Sequence, residues 1–572
     1  MTVSRVFLEG PYKVDFKRPW PREDERRAAG QAARTRVSHQ ALGRWEPADE
    51  ERDPVEVVMA VAATRQARLK TLRTARMAVS PFTFYRGAAQ LMANDLGTQP
   101  HTGIYAQLCG DAHLSNFGTY ASRERTPVFD INDFDETGQG PWEWDLKRLA
   151  ASFVLAARDN GIATHAEDCV RRAVGGYVAG LNDMAALGWL DRRYRMIRAD
   201  RPVRDGIVWT EETAKLVDRV VSKAAKKTQA WTVAKYTEVV DGVHRLRTAP
   251  PVVTPVSKST AAAVTASLRG YLESLSVERR AYVAAYHVVD VAHKVVGVGS
   301  VGTYDYIVLL MGDGEHDELL LQVKEAEPSA VKTALGETSA LTPGERVVVG
   351  SWVMQGVSDP FLGWTQLHGR SFYVRQLKDM KGSVDPAVLN EKLLVAYGGR
   401  CGYTLGLAHS RAGDPDAILG YVGEGAELAQ AMWEFSAAYA DQTERDFGRF
   451  IEAIRGGRIK AAVLEPTTPA PAVPAPAAKA KPRPKAATAE AKAVKPKVAT
   501  AKAAKAEARA AKAAKSETKA ARAKAAKAEA KAAKAETKTA KPKAAKPKSS
   551  TAKAEAAKGK AARPKASGGA ER

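Results

Sequence analysis

Cysteine is scarce in this chain, and its scarcity excludes two kinds of structure. Three cysteines, Cys109, Cys169 and Cys401, are spread widely over 572 residues. Such spacing supplies neither a disulfide framework nor the paired thiolates of a zinc knuckle. Cys109 is the only soft ligand near His113, and a zinc site needs more ligands than these two. The cysteine content therefore indicates a protein of the reducing cytoplasm, with His113 as a structural hydrogen-bonding residue.

Long hydrophobic runs are also missing. No stretch approaches the roughly 18 uninterrupted apolar residues that a membrane-spanning helix needs. The N-terminal segment lacks the basic region and apolar core of a secretory signal. We therefore expect a cytoplasmic protein that does not contact a membrane.

The C-terminal part lacks aromatic residues altogether. Residues 466–572 consist mainly of Ala, Lys and Pro and contain 29 basic against 7 acidic residues, so this tail carries the whole net charge of +22. A segment of this composition buries too little apolar surface to offset its chain entropy, which predicts a disordered tail.

Lysine recurs every three or four residues in this tail from Lys479 onward. The pattern resembles the Lys-Ala-Pro tails of linker histones and actinobacterial histone-like proteins. Lysine at this density binds nucleic acid with little sequence preference, through release of counterions. The alternative is a solubilising tail without a fixed partner.

Against this background, the most informative stretch contains two acidic loops. The first, Gly-Asp-Ala-His-Leu-Ser-Asn, occupies residues 110–116, and the second, Asn-Asp-Phe-Asp-Glu, occupies residues 132–136. Strand-like runs precede them at residues 104–108 and 127–131, and the polar residues 122–126 suit a turn. We expect these two runs to form a hairpin that carries both loops to one end.

Asp111, Asn116 and Asp133 would then converge. Two carboxylates and an amide oxygen are hard ligands of the kind that Mg²⁺ takes together with a phosphate. The pattern thus indicates a phosphoryl-transfer site. The alternative for any one of these residues is an ordinary turn, in which an Asp side chain caps its own backbone.

The order Gly-Asp-x-His-x-x-Asn, then Asp-Phe, then Gly and Asp-Leu resembles the catalytic half of the aminoglycoside phosphotransferases and choline kinases, a branch of the protein-kinase-like fold. The resemblance implies that Asp111 is the catalytic base and that Asn116 and Asp133 bind the metal. It also implies that Asp145 braces the catalytic loop from the following helix. Residues from about 18 to 456 also resemble a bacterial family known only as a domain of unknown function, number 2252.

A second motif, Gly-Val-Gly-Ser-Val-Gly, lies between two strand-like runs. This context argues against a Rossmann turn, which opens a helix, and suits a kinase-type hairpin over nucleotide phosphates. By resemblance Lys324 falls on the strand-borne lysine that grips the phosphates. The alternative is a tight β-turn and a solvated lysine. The residues assigned to nucleotide binding are Gly297, Gly299, Ser300, Gly302 and Lys324.

Three further assignments remain open in the sequence. A kinase-type lysine needs a Glu from the next helix, and Glu337 and Glu345 are both candidates. Asp414 follows a Gly and rivals Asp111, but it lacks the downstream Asn and Asp-Phe, so it ranks below. Arg86 is a candidate for binding a substrate anion, whereas the more usual role is an ion pair on a helix surface.

Periodicity predicts helices at residues 54–77, 82–96, 142–159, 268–291 and 391–409. A strand leading to a nucleotide hinge is predicted at residues 372–377. These elements give an α+β chain with a largely helical catalytic lobe, a small antiparallel sheet lobe and a disordered tail. The glycine loop follows the acidic loops, the reverse of the usual kinase order, which predicts a circularly permuted two-lobed fold. The predicted segments are an N-terminal helical segment (1–105), a catalytic-loop lobe with a helical subdomain (106–290), a nucleotide-lobe-like sheet (291–384), C-terminal helices (385–465) and the tail (466–572).

We therefore expect a phosphotransferase that uses ATP or another nucleoside triphosphate with Mg²⁺ and phosphorylates a hydroxyl or amine acceptor. Two alternatives remain: a kinase-like protein that binds nucleotide without catalysis, and a nucleoid-associated protein that binds DNA through residues 466–572.

Overall fold

A computed structural model describes residues 20–47, 52–199, 215, 219, 221–295, 297, 301–314, 316–377 and 379–463. The chain divides into two units, residues 1–478 and 479–572. All described residues belong to the first unit, so the predicted tail lies outside them. No helix within the described residues is both long enough and apolar enough to cross a membrane.

The described part is α+β, as predicted. Its helices are α1 (Glu23–Arg36), α2 (His39–Gly43), α3 (Pro54–Ala63), α4 (Ala67–Met77), α5 (Pro81–Gly87), α6 (Ala89–Gly97), α7 (Glu143–Asp159), α8 (Ala166–Ala185), α9 (Trp189–Tyr194), α10 (Gln229–Tyr236), α11 (Lys258–Ser274), α12 (Val277–Ala284), α13 (Ala330–Ala334), α14 (Pro343–Met354), α15 (Glu391–Ala412), α16 (Pro415–Val422) and α17 (Ala426–Arg455).

The strands are β1 (Tyr105–Leu108), β2 (Phe117–Ala121), β3 (Pro127–Ile131), β4 (Gly138–Pro141), β5 (Thr237–Val240), β6 (Val243–Leu246), β7 (Val253–Pro255), β8 (His287–Lys294), β9 (Asp305–Met311), β10 (Glu318–Glu325), β11 (Gly363–Leu367), β12 (Arg370–Gln376) and β13 (Gly382–Ser383). The largest sheet has the antiparallel order β11-β12-β10-β9-β8-β7. The sheet therefore includes β7 and the first half of β8, which lie before residue 291, the predicted start of the sheet lobe.

The helical part is built around α7, α8 and α15. The α7 helix is buried over nearly its whole length. Close contact between α8 and α15 depends on glycine, because a Cβ at Gly402 would lie 1.8 Å from the Ala173 carbonyl oxygen. The large sheet has a hydrophobic core of its own, with Val308, Leu321 and Val374 among its fully buried side chains.

The predicted hairpin exists, but one of its strands is not the expected one. The turn lies at residues 122–126, as predicted, and the Ser122 N–H donates to the Thr126 carbonyl. The partner of β3 is β2, whereas β1 pairs with β4. Gly140 lies opposite Ala106, and a Cβ there would lie 2.9 Å from Leu108, so the small residues of β4 make this pairing possible.

Three predicted helices are interrupted by tertiary contacts. The helix predicted at residues 54–77 breaks before α4, where the Gln66 N–H donates to the Gly302 carbonyl at 2.8 Å. The helix predicted at residues 82–96 breaks where buried Arg73 donates to the Gly87 carbonyl at 2.7 Å. The predicted helix 268–291 was wrong over its last part, because β8 pairs there with β9.

Candidate functional site

The hairpin of β2 and β3 brings the two acidic loops together. Phe117 lies opposite Ile131, and just beyond this pair the Asn132 N–H donates to the Asn116 carbonyl at 3.0 Å. Asn116 directly precedes β2, and only Asn132 separates Asp133 from the end of β3. The register of one hairpin therefore places the predicted metal ligands, Asn116 and Asp133, side by side.

Asp111 lies in the first loop and is held from α7. The Arg148 Nε donates to one Asp111 carboxylate oxygen at 2.9 Å, and Nη2 of the same guanidinium lies 2.8 Å from that oxygen in an ion pair. The Asn116 side-chain amide donates to the Asp111 backbone carbonyl at 2.8 Å. This bond uses the Asn116 nitrogen and leaves its amide oxygen available for another ligand. Asp111, Asn116 and Asp133 all line one cavity.

Asp145, in the first turn of α7, holds the backbone of the first loop, the role that the family resemblance implies for it. Its carboxylate accepts from the Cys109 N–H at 2.8 Å and from the Gly110 N–H at 3.0 Å. His409 Nε2, near the end of α15, lies 3.2 Å from the same carboxylate. Gly110 has φ +81°, and a Cβ there would lie 2.1 Å from the Glu136 carbonyl oxygen. Glycine is thus required where the two loops touch.

Lys324 comes to the acidic loops from the large sheet. It lies on β10, is only 2% exposed, and forms an ion pair with Asp135. Tyr373 on β12 donates to the other Asp135 oxygen at 2.9 Å. The Asp135 N–H in turn donates to the Asp133 carboxylate at 3.3 Å.

The acidic partner of Lys324 is therefore Asp135, whereas the sequence led us to expect a Glu from the following helix. Glu337 pairs with Lys332 at 2.8 Å, and Glu345 lies at the start of α14, so neither candidate is the partner of Lys324. One feature of the sequence could have indicated this partner: Asp135 is the second acidic residue of the Asp-Phe-Asp motif, two positions after Asp133.

The glycine motif is only partly described. Gly297 lines the cavities at the acidic loops. Gly302 has φ +99° and packs against Arg65, where a Cβ would lie 2.9 Å from the Arg65 Cβ, and it lines neither cavity. Gly299 and Ser300 lie outside the described residues.

Two cavities meet at the acidic loops. The first, of about 450 Å³, is lined by Asp111 and by apolar residues of α3 and α6. The second, of about 780 Å³, is lined by Lys324, Tyr373 and the end of β12. In the second cavity cationic side chains outnumber the acidic ones, which are Asp133, Asp359 and Asp379. The cationic ones are Arg76, Arg86, Arg123, Arg125, Lys294, Lys324, Arg375 and Lys381.

Four residues line both cavities: Arg86, Asn116, Asp133 and Gly297. Asp111 lines the first cavity alone, and Lys324 lines the second alone. The predicted metal ligands therefore lie at the junction, with the predicted base on one side and the predicted nucleotide lysine on the other.

Burial and neighbouring charges divide the carboxylates into two groups. Burial raises the pKa of Asp111, and the Arg148 guanidinium offsets only part of that effect. Burial and the Asp135 charge raise the pKa of Asp133. Burial alone would also raise the pKa of Asp135, but the Lys324 ammonium outweighs it and holds that pKa below its usual value. Asp135 is therefore the firmly ionised member of the second loop.

Two residues near the site have structural roles. Burial holds the pKa of His113 well below its usual value, so its imidazole is neutral, and its carbonyl accepts from the Asn116 N–H at 2.8 Å. Asp414 caps α16 and forms a buried ion pair with Arg26 at 2.9 Å. The rival motif at Asp414 is therefore a structural cap that joins α16 to α1.

The donor set fits Mg²⁺ bound together with a phosphate. Within the described ranges no three His, Cys, Asp or Glu side chains are grouped as a metal site. Asn116 and Asp133 supply two oxygen ligands, and Mg²⁺ commonly takes one or two protein ligands and completes its shell with phosphate oxygens and water.

The comparisons with known proteins identify a family and no activity. A family model described as an uncharacterized protein conserved in bacteria (DUF2252) matches residues 65–453. Neither the curated proteins nor the solved structures contain a match to the chain. The matched region covers both acidic loops, Lys324 and α15. The chain therefore belongs to the DUF2252 family of bacterial proteins.

Proposed function

We propose that the protein is a cytoplasmic phosphotransferase with a permuted protein-kinase-like fold. The observation that carries this proposal is the distribution of the predicted site residues: Asp111 lines one cavity, Lys324 lines the other, and the predicted metal ligands line both. The cation-rich cavity with Lys324 receives ATP, and the smaller cavity beside Asp111 receives the acceptor. Asn116 and Asp133 lie between them and would hold Mg²⁺ there.

The position of α15 supports the permuted order. In the phosphotransferases that the sequence resembles, a helix comes just before the catalytic loop. Here α15 follows the catalytic loop in the chain, yet its end lies beside the elements that hold that loop. His409 contacts Asp145, and a Cβ at Gly413 would lie 2.9 Å from Ala106 in β1.

Each residue has a defined role in the proposed reaction. Mg²⁺, when bound, neutralises charge that develops on the phosphate oxygens. Lys324, kept charged by Asp135, holds the phosphates of ATP. Asp111 orients the acceptor hydroxyl or amine and takes its proton, while Arg148 and Asn116 fix the position of Asp111. Catalysis by such a site is mainly positioning and charge stabilisation.

The size and lining of the smaller cavity favour a small-molecule acceptor. Its volume lies within the range of ordinary ligand pockets. Val57, Val58 and Val61 of α3 and Leu91 of α6 give an apolar part to the lining of this cavity, to which the acidic loops also contribute. An acceptor with an apolar body and one hydroxyl or amine group at the Asp111 end matches this lining.

Thermal unfolding tests the proposal. ATP with Mg²⁺ should raise the melting temperature, because a ligand that binds only the native state stabilises it. Asp133→Ala should abolish the rise, whereas Asp168→Ala, at an exposed position in the first turn of α8, should keep it. An Asp133→Ala variant that responds like the wild type would refute the metal assignment.

A nucleotide-binding protein without catalysis is the second candidate. The contact of Arg148 with Asp111 favours it, because the guanidinium opposes the rise in pKa that burial gives Asp111 and makes it a weaker base than the same buried carboxylate without that contact. Binding of ATP without turnover across a broad panel of hydroxyl compounds and amines would select this candidate over the phosphotransferase.

A further inference from the structure

Arg86 lies at the junction of the two cavities and comes from outside the acidic loops. It occupies the last turn of α5, a helix that begins at the Ser80 cap with Pro81. Neighbouring Tyr85 fixes this turn against α7: its hydroxyl donates to the Arg148 carbonyl at 2.8 Å, and Arg148 donates back to the Tyr85 carbonyl at 2.8 Å. The same Arg148 holds Asp111, so Arg86 has a fixed position relative to the predicted base.

Other cations around the smaller cavity have identified acceptors. Arg148 binds Asp111, Arg65 binds Glu327 at 2.7 Å, and Arg73 binds the Gly87 carbonyl. The buried Nε atoms of Arg65, Arg73 and Arg86 all lack an acceptor among the described residues. Arg86 differs from the other two because no described residue forms a hydrogen bond or ion pair with the rest of its guanidinium either. A buried guanidinium N–H without an acceptor costs free energy. An anion bound at the junction would remove that cost.

We propose that Arg86 binds the phosphoryl group while it passes from ATP to the acceptor. This inference rests on the proposed phosphotransferase function. In the transfer, the bond between the γ-phosphorus and the bridging oxygen breaks, and its electron pair stays on ADP. A bond forms from the phosphorus to the acceptor oxygen or nitrogen, whose proton passes to Asp111. During the transfer, negative charge is spread over the three equatorial oxygens of the phosphoryl group. The Arg86 guanidinium donates hydrogen bonds to these oxygens.

Binding of ADP–Mg²⁺ with and without aluminium fluoride, measured by calorimetry, tests this role. Aluminium fluoride occupies the place of the transferred group. The wild type should bind ADP–Mg²⁺ more tightly when it is present. In Arg86→Ala, this gain in affinity should be smaller by a factor on the order of 10 to 100. The affinity of the variant for ADP–Mg²⁺ alone should equal that of the wild type. Arg68→Ala removes the same charge from an exposed position on α4 outside both cavities and should keep the whole gain.

The outcomes separate this inference from the function on which it rests. If no form of the protein binds ADP–Mg²⁺, both fail. If ADP–Mg²⁺ binds and Arg86→Ala keeps the full gain, Arg86 has no role and the phosphotransferase proposal stands. Should Arg86→Ala fail to fold, Arg86→Lys serves instead: a lysine lacks the planar fork of donors and should retain only part of the gain.

Discussion

Lys324 on β10 and Asp135 in the second acidic loop form an ion pair that joins the large sheet to the helical part of the molecule. Asp135 also donates its N–H to Asp133. One residue therefore contacts both the proposed phosphate-binding lysine and the proposed metal ligand. This arrangement links the position of the nucleotide to the position of the metal.

The Asp135→Asn variant should bind ATP–Mg²⁺ at least about tenfold more weakly, because Lys324 loses the charge that positions its ammonium. It should also unfold more easily, by about 3–5 kcal/mol, because a lysine that is 2% exposed loses its counterion. Calorimetry and urea unfolding measure the two effects. Glu337→Gln, which removes the partner of Lys332, is the matched control, and equal ATP affinity in both variants would contradict the assignment.

The Asp145→Asn variant should loosen the first acidic loop. An amide has one oxygen acceptor, so the Cys109 and Gly110 N–H groups cannot both keep a carboxylate oxygen. Leaving one of them unsatisfied should lower the free energy of unfolding by about 1–3 kcal/mol, measured by urea denaturation. Asp168→Asn on the exposed face of α8 should have no such effect. Equal free energies of unfolding for Asp145→Asn and the wild type would show that the Asp145 hydrogen bonds do not stabilise the protein.

The buried Lys147 should give stability a distinct pH dependence. Burial lowers its pKa to about 8 from an unfolded value of 10.5. Between these values the unfolded chain binds more protons than the native one, so the free energy of unfolding rises with pH across that interval. Lys147→Met should remove up to about 3 kcal/mol of this rise. Urea denaturation at pH 7, 8, 9 and 10 measures it, and parallel curves for the two proteins would contradict the prediction.

The basic tail predicts nucleic-acid binding that is independent of the cavities. Deleting residues 466–572 should abolish DNA binding that weakens steeply with salt and leave the thermal unfolding of the remainder unchanged. Fluorescence anisotropy of a labelled duplex at several salt concentrations measures the binding. DNA binding retained by the truncated protein would place the activity elsewhere. A full-length chain that does not bind DNA would leave the tail with a solubilising role.

Some of the site follows from local sequence alone. Asp145 falls in the first turn of α7 because the apolar spacing of residues 142–159 defines that helix and its buried face. The turn at residues 122–126 and the strand at 372–377 follow from composition in the same way. In each of these cases, the residues whose composition or periodicity predicts the element are the same consecutive residues that form it.

Longer-range relationships did not follow from local patterns. Lys324 finds its partner 189 positions away along the chain, in Asp135. The break between α5 and α6 depends on Arg73, from a different helix. No local window contains both members of such a pair.

The sequence by itself determined an α+β chain with two acidic loops, a neutral body and a basic tail, because composition and periodicity act over a few residues at a time. Tertiary structure alone decided which strands pair, which carboxylate meets Lys324 and that Arg86 lies at the junction of two cavities. Those outcomes depend on how the large sheet packs against α14 and how β1 and β3 pack against α15, and packing is a property of surfaces assembled from distant parts of the chain.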